Sequence, residues 1–173
     1  LDNADVAFTD PDLKERLKAE ATLVRSLIFF NMVRVWGGIP LPLKPLKPEE
    51  GYEYLRESKE VVYQQIISDL KYAKTNLPES YSGNDVGRVT KFGASAILAK
   101  VYLTLGENQN ASIELKEIIE SERFSLDAND DGNINADDYE YLFLPDTKNS
   151  KASLLEAQYL GGENSVNSNH QSQ

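Results

Sequence analysis

Apolar residues return every three or four positions through four stretches of the chain, the spacing that gives a helix one buried face. The first predicted helix runs from about residue 12 to residue 36, with Leu23, Leu27, Phe30 and Val33 on its buried stripe. Gly37 and Gly38 end it, and Pro40 and Pro42 bar its continuation. The second begins near Ser58, a good N-cap, and stops before Pro78, with Val62, Ile66, Leu70 and Ala73 on one face. Thr90 caps the third, which carries Ala94, Ile97, Leu98, Val101 and Leu105 and stops at Gly106. The fourth, from about residue 108 to residue 121, follows after a very short turn. A Pro-rich connection (40–57) separates the first two helices, and a turn-rich stretch (80–87) separates the second from the third.

Beyond the fourth helix the period is lost. Residues 124–126 suit a short extended piece, an acidic loop follows, and 137–143 suits one more helical turn. Residues 154–160 are predicted as a strand or extended segment near the C-terminus. The whole reads as one helical-repeat domain over 1–173, with 1–11 and 161–173 expected to be mobile.

The third and fourth helices also fit the tetratricopeptide spacing. Leu98 and Ala99, then Tyr102, then Ala111 and Leu115 alternate small residues that admit a neighbouring helix with large ones that fill the gap. The first helix echoes the third, since Phe29, Val33 and Gly37 fall where Leu98, Tyr102 and Gly106 fall. The predicted fold is therefore mainly α, with tetratricopeptide-like helix pairs and long inserted loops. On spacing alone an unrelated helix bundle stays open.

Composition removes several functions. With 28 acidic against 18 basic residues the formal net charge is -10, and no Lys/Arg cluster offsets it, so a nucleic-acid partner is not expected. The absence of cysteine excludes thiol catalysis, disulfides and Cys-based zinc sites. No apolar run approaches the roughly 18 residues of a membrane-spanning helix. The first residues carry neither a basic nor an apolar leader region and no initiator Met, so the chain is read as a mature, trimmed or excised piece. His170 in the polar tail is the sole histidine, and neither a phosphate loop nor a nucleophile elbow is present; no catalytic residue is assigned.

One stretch specifies chemistry by itself. Asp127, Asn129, Asp131, Gly132, Asn133, Ile134, Asn135 and Asp138 fit the calcium-loop pattern, with acids at its first and twelfth places. Calcium takes six to eight hard oxygen ligands, which a tight turn gathers from alternate side chains. Asp127, Asn129 and Asp131 would give side-chain oxygens, Asn133 its carbonyl, Asn135 an oxygen direct or through water, and Asp138 both carboxylate oxygens. Gly132 permits the bend, and Ile134 is expected to point to the core. With Asp last, the loop is closer to a dockerin repeat than to an EF-hand sensor. As a lone loop it is expected to bind structural Ca2+ and not to dock a cohesin.

Four stretches, taken in order, resemble the SusD/RagB family of glycan-binding outer-membrane lipoproteins. They are Glu20 through Arg25 and Phe29 to the segment 35–41; Leu55, Arg56 and Glu57 into the second helix; Gly87 through Lys91 into the third; and Tyr141 to Phe143 followed by Leu155 and Glu156. Ser26 and Gly38 stand where the family commonly has Ala and Asp, changes not expected to matter to the fold. The resemblance spans about residues 20–159. It implies a non-catalytic glycan-binding component of a nutrient-uptake system, handing oligosaccharide to a TonB-dependent SusC-like transporter at the cell surface. It also implies an upstream lipidated cysteine, supplying the membrane anchor, and a large downstream subdomain, both outside this sequence. Tyr52, Tyr54 and Tyr81 lie in loops and are the candidates for stacking on a pyranose. Trp36 closes a helix and is expected to be packed.

Overall fold

The computed structural model describes residues 10–144 and 146–157. Five α-helices are formed among them: α1 (Pro11–Trp36), α2 (Lys59–Asn76), α3 (Lys91–Leu105), α4 (Asn108–Glu120) and α5 (Ala136–Tyr141). Short 3-10 turns at Pro48–Glu53 and Gly83–Asp85 punctuate the two connections. No strand occurs among the described residues. Residues 124–126 and 154–157 are irregular, tied together nearby by one backbone bond from Ser125 N–H to the Lys151 carbonyl (3.0 Å). The remainder of the predicted 154–160 segment, the 1–9 and 161–173 ends and His170 lie outside the described residues.

Every helix but α4, whose N-cap Glu107 makes no capping bond, starts where its sequence offers a side-chain acceptor for the first orphan N–H groups. Asp10 accepts from the amides of Asp12 and Leu13, so α1 begins at Pro11, inside the stretch expected to be mobile. Ser58 accepts from Val61 N–H and Thr90 from Gly93 N–H. The C-termini of α1 and α3 both close on a glycine at positive φ, Gly37 (φ 72) and Gly106 (φ 78), but only Gly106 takes the left-handed helical conformation.

α1 packs on α2, α2 on α3 and α3 on α4, so these four helices each cover their sequence neighbours, while α5 packs on none of them. Val62, Ile66, Leu70 and Ala73 are all fully buried, as are Leu23, Phe30 and Val33 opposite them, with Leu27 half-buried at the edge. The central α3 buries several faces at once, including Phe92, Ala94, Leu98, Val101 and Tyr102, which explains its apolar composition. Phe29 and Leu98, and Val33 and Tyr102, are buried in corresponding places, as the internal echo requires.

Three expectations fail. Leu115 remains 39% exposed, and the gap beside Ala111 is filled instead by Ile118 and by buried Glu114, whose carboxylate holds Lys74 of α2 at 2.7 Å. Trp36 is 61% exposed at the last position of α1. Gly38 does matter: a Cβ there would stand 2.1 Å from the Glu57 carbonyl oxygen. The chain doubles back tightly at this point, with Glu57 N–H bonded to the Ile39 carbonyl at 3.0 Å. Arg56 seals the corner, donating from Nε to the Gly38 carbonyl (2.6 Å) and from Nη2 to the Trp36 carbonyl (2.5 Å). It thereby satisfies acceptors left open at the end of α1.

Candidate functional sites

The acidic loop follows α4 and leads into α5. Its polar side chains turn onto its own backbone. Asp127 accepts from the amides of Asp131 (3.1 Å) and Gly132 (2.9 Å), and Asn129 Oδ1 also accepts from Asp131 N–H (3.1 Å). Asp131 accepts from Asn133 N–H at 2.8 Å. Asn135 caps α5 through Asp137 N–H. Positive φ at Asp130 (62°) and Gly132 (86°) makes the bend.

Asp138 closes the loop from inside the first turn of α5. One carboxylate oxygen accepts from the amides of Ala128 (2.7 Å) and Asn129 (3.3 Å), the other from Asn135 N–H (2.8 Å). These bonds, that from Asn135 foremost, lower its pKa against the opposing cost of burial. Ile134 is 70% exposed and does not reach the core, since no helix lies over this side of the loop. All six predicted ligand residues are thus in one short loop. Among the described residues, however, no three His, Cys, Asp or Glu side chains stand together as a metal site. Any ion would therefore draw on amide and main-chain oxygens as well.

The three tyrosines are not brought together. Tyr52, on the 3-10 turn Pro48–Glu53, is 92% exposed. Tyr54 is half-buried in a shallow hollow with Leu41, Leu55 and Glu57. Tyr81 is committed to structure: its hydroxyl donates to Glu20 Oε1 (3.0 Å), and Arg16 lies over its ring, 5.6 Å from the centroid. Burial, and then the Glu20 carboxylate, push its pKa well up. Glu20 also receives Arg88 Nη1 at 2.8 Å, while Arg88 Nε reaches Asp85 at 2.6 Å.

Beside that network lies a cleft of about 270 Å³, bounded by the turn between α2 and α3, the end of α4 and the segment 149–156. Its wall includes Tyr81, Val86, Arg88, Arg123, Phe124 and Leu154. Phe124 is held edge-on to buried Phe92, ring centroids 5.4 Å apart. Sequence reading missed this cleft because its walls are far apart in the chain. The one local clue was Arg123 directly before Phe124.

Stacked helices carrying side-chain clefts and a pinned polar loop make up the described chain. The chain belongs to the SusD-like family: the family model described as starch-binding, associating with the outer membrane, matches residues 1–103. It is 33% identical to a SusD-like protein of Bacteroides ovatus, over 85% of this chain and 27% of that protein. It superposes on a SusD-like protein from Bacteroides fragilis with a TM-score of 0.76 and 28% identity, over 88% of this chain and 29% of the other. A laminarin-binding SusD-like protein is 37% identical, with a TM-score of 0.57, over 64% of this chain and 24% of its own. The chain therefore spans little more than a quarter of the length of these relatives. None of these descriptions is of an enzyme.

Proposed function

We propose that the chain is part of a non-catalytic, SusD-type glycan-binding protein that captures oligosaccharide at the outer-membrane surface and passes it to a TonB-dependent SusC-like transporter. The observation that carries this reading is family membership together with 37% identity to a protein that binds laminarin. On this reading α1–α2 and α3–α4 are two tetratricopeptide-like repeats, and the described chain supplies the frame of the protein. Val24, Ile28 and Val35 are exposed on α1, an apolar surface suited to packing on another protein. Membrane attachment would come from a lipid anchor elsewhere in the protein, as no described helix is long and apolar enough to cross a membrane.

The loop 127–138 is assigned in this reading to a structural calcium ion. Its donors are all hard oxygens, the class calcium prefers. A carboxylate has about four acceptor sites, so those of Asp127, Asp131 and Asp138 retain lone pairs after bonding the backbone. Asn129, Asn133 and Asn135 complete the set. The ion would offset the repulsion among the three carboxylates and hold the loop to the first turn of α5.

Isothermal titration against a panel of neutral and acidic glycans tests the binding role. Heat with at least one glycan is expected. Heat with peptide ligands only would replace this reading with a protein-interaction scaffold.

A further inference from the structure

The cleft beside Tyr81 combines features that no part of the reading above assigns. Three basic side chains, Arg88, Arg123 and Lys151, line it within a chain of net charge -10. The two carboxylates in its wall are already engaged. Glu79 is held by Arg123 (2.9 Å) and faces Lys91 (3.6 Å), and both oxygens of Glu156 accept from Asn149 N–H at 3.1 Å.

Each of the three cations is also paired with a carboxylate, but keeps donors in hand among the described residues. Arg123 spends Nη2 on Glu79, Lys151 reaches Asp130 at 2.6 Å, and Arg88 uses Nε and Nη1. A guanidinium has five N–H groups and an ammonium three, so each retains some for a further acceptor. Their present partners also fix where those donors point. Arg88 is braced from α1 by Glu20, and Lys151 from the loop by Asp130. Planar guanidinium groups match the two oxygens of a carboxylate or sulfate better than the single hydroxyls of a neutral sugar. Among the other wall residues, Val86, Phe124, Leu154 and Leu155 offer an apolar surface for the C–H face of a ring.

We propose that this cleft binds an acidic sugar unit, a hexuronate or a sulfated pyranose, with its oxyanion on Arg88, Arg123 and Lys151 and its ring against Phe124 and Leu154. The inference rests on the glycan-binding reading and narrows it to one class of glycan at one place. The acid partners of the three cations compete with the ligand, so affinity depends on salt.

The test is isothermal titration of the 173-residue chain with trigalacturonate, with its methyl ester, and with a galactose 6-sulfate oligosaccharide. One anionic sugar at least is expected to bind, and which one distinguishes carboxylate from sulfate. The ester, and the variants R123Q and K151Q, should each bind at least about tenfold more weakly, the scale of a lost charge-assisted bond. Unchanged circular-dichroism melting shows that the variants fold, and either variant suffices if the other does not. Equal affinity for acid and ester, affinity indifferent to both substitutions, or no heat with either anion overturns the proposal. Binding of a neutral glycan that R123Q leaves untouched would overturn it while the glycan-binding reading stands.

Discussion

Removing the Asp69 carboxylate should break the polar clamp between α1 and α2. Asp69, on the buried face of α2, receives Arg25 Nε at 2.9 Å and Nη2 at 2.8 Å, and Gln65 Nε2 at 2.7 Å. Arg25 reaches on from α1 to the Leu43 carbonyl (3.3 Å), so the same group ties down the Pro-rich connection. The Asp69 side chain is 7% exposed and that of Arg25 22%. Removing one partner of a fully buried pair costs about 3–5 kcal/mol. Arg25 can turn partly toward water, so Asp69→Ala should cost about 3 kcal/mol, at the lower end of that range. At roughly 2–4 °C per kcal/mol for a domain of this size, the melting midpoint should fall by about 6–12 °C. With a slope of about 2 kcal/mol/M, the urea midpoint should fall by about 1.5 M. The double variant R25M/D69L should recover most of the loss, because an apolar pair of similar volume needs no desolvation of charge. A loss below about 1 kcal/mol for Asp69→Ala would show that the pair behaves as a surface salt bridge and refute the reasoning.

Gly38→Ala should cost about 1–3 kcal/mol in urea unfolding, because the new Cβ meets backbone that cannot step aside; an unchanged midpoint would mean the corner is looser than described. Tyr72 donates its hydroxyl to Glu15, and burial first, then that carboxylate, raise its pKa to about 12. A raised folded pKa means stability that is complete below the unfolded value of about 10 and lost as pH rises through 12. Tyr72→Phe should therefore remove part of the alkaline loss of stability, seen as a flatter melting-temperature profile across that window. If the loop binds calcium, melting in calcium should exceed melting in EGTA by about 2.7 kcal/mol at a hundredfold excess over Kd, and Asp127→Ala should abolish the difference. Identical midpoints, with no calcium found by elemental analysis, would remove the ion from the loop.

Much of this protein is legible in its sequence. The helices α1 to α3 begin at caps that can be read one by one, α1 and α3 end at glycines, and the core faces of α1 to α3 follow from period alone. Phe30, Ile66 and Leu98 had to be buried because a helix with that stripe must cover it. The turn at 127–138 was equally visible, since the Asp and Asn side chains that bond its backbone amides come from the same short stretch.

What the sequence could not decide depends on distance across the fold. Whether Trp36, Leu115 or Ile134 is covered depends on where a neighbouring helix ends, a matter of helix length and offset. The importance of Gly38 depends on Glu57 returning to within contact of it, 19 residues later. The cleft of Arg88, Arg123 and Lys151 exists only because the α2–α3 turn, the end of α4 and the segment 149–156 meet there. Periodicity records which side of an element faces inward, a local property of backbone geometry. Which side chains from distant segments share one concavity is set by packing, and tertiary structure alone decides it.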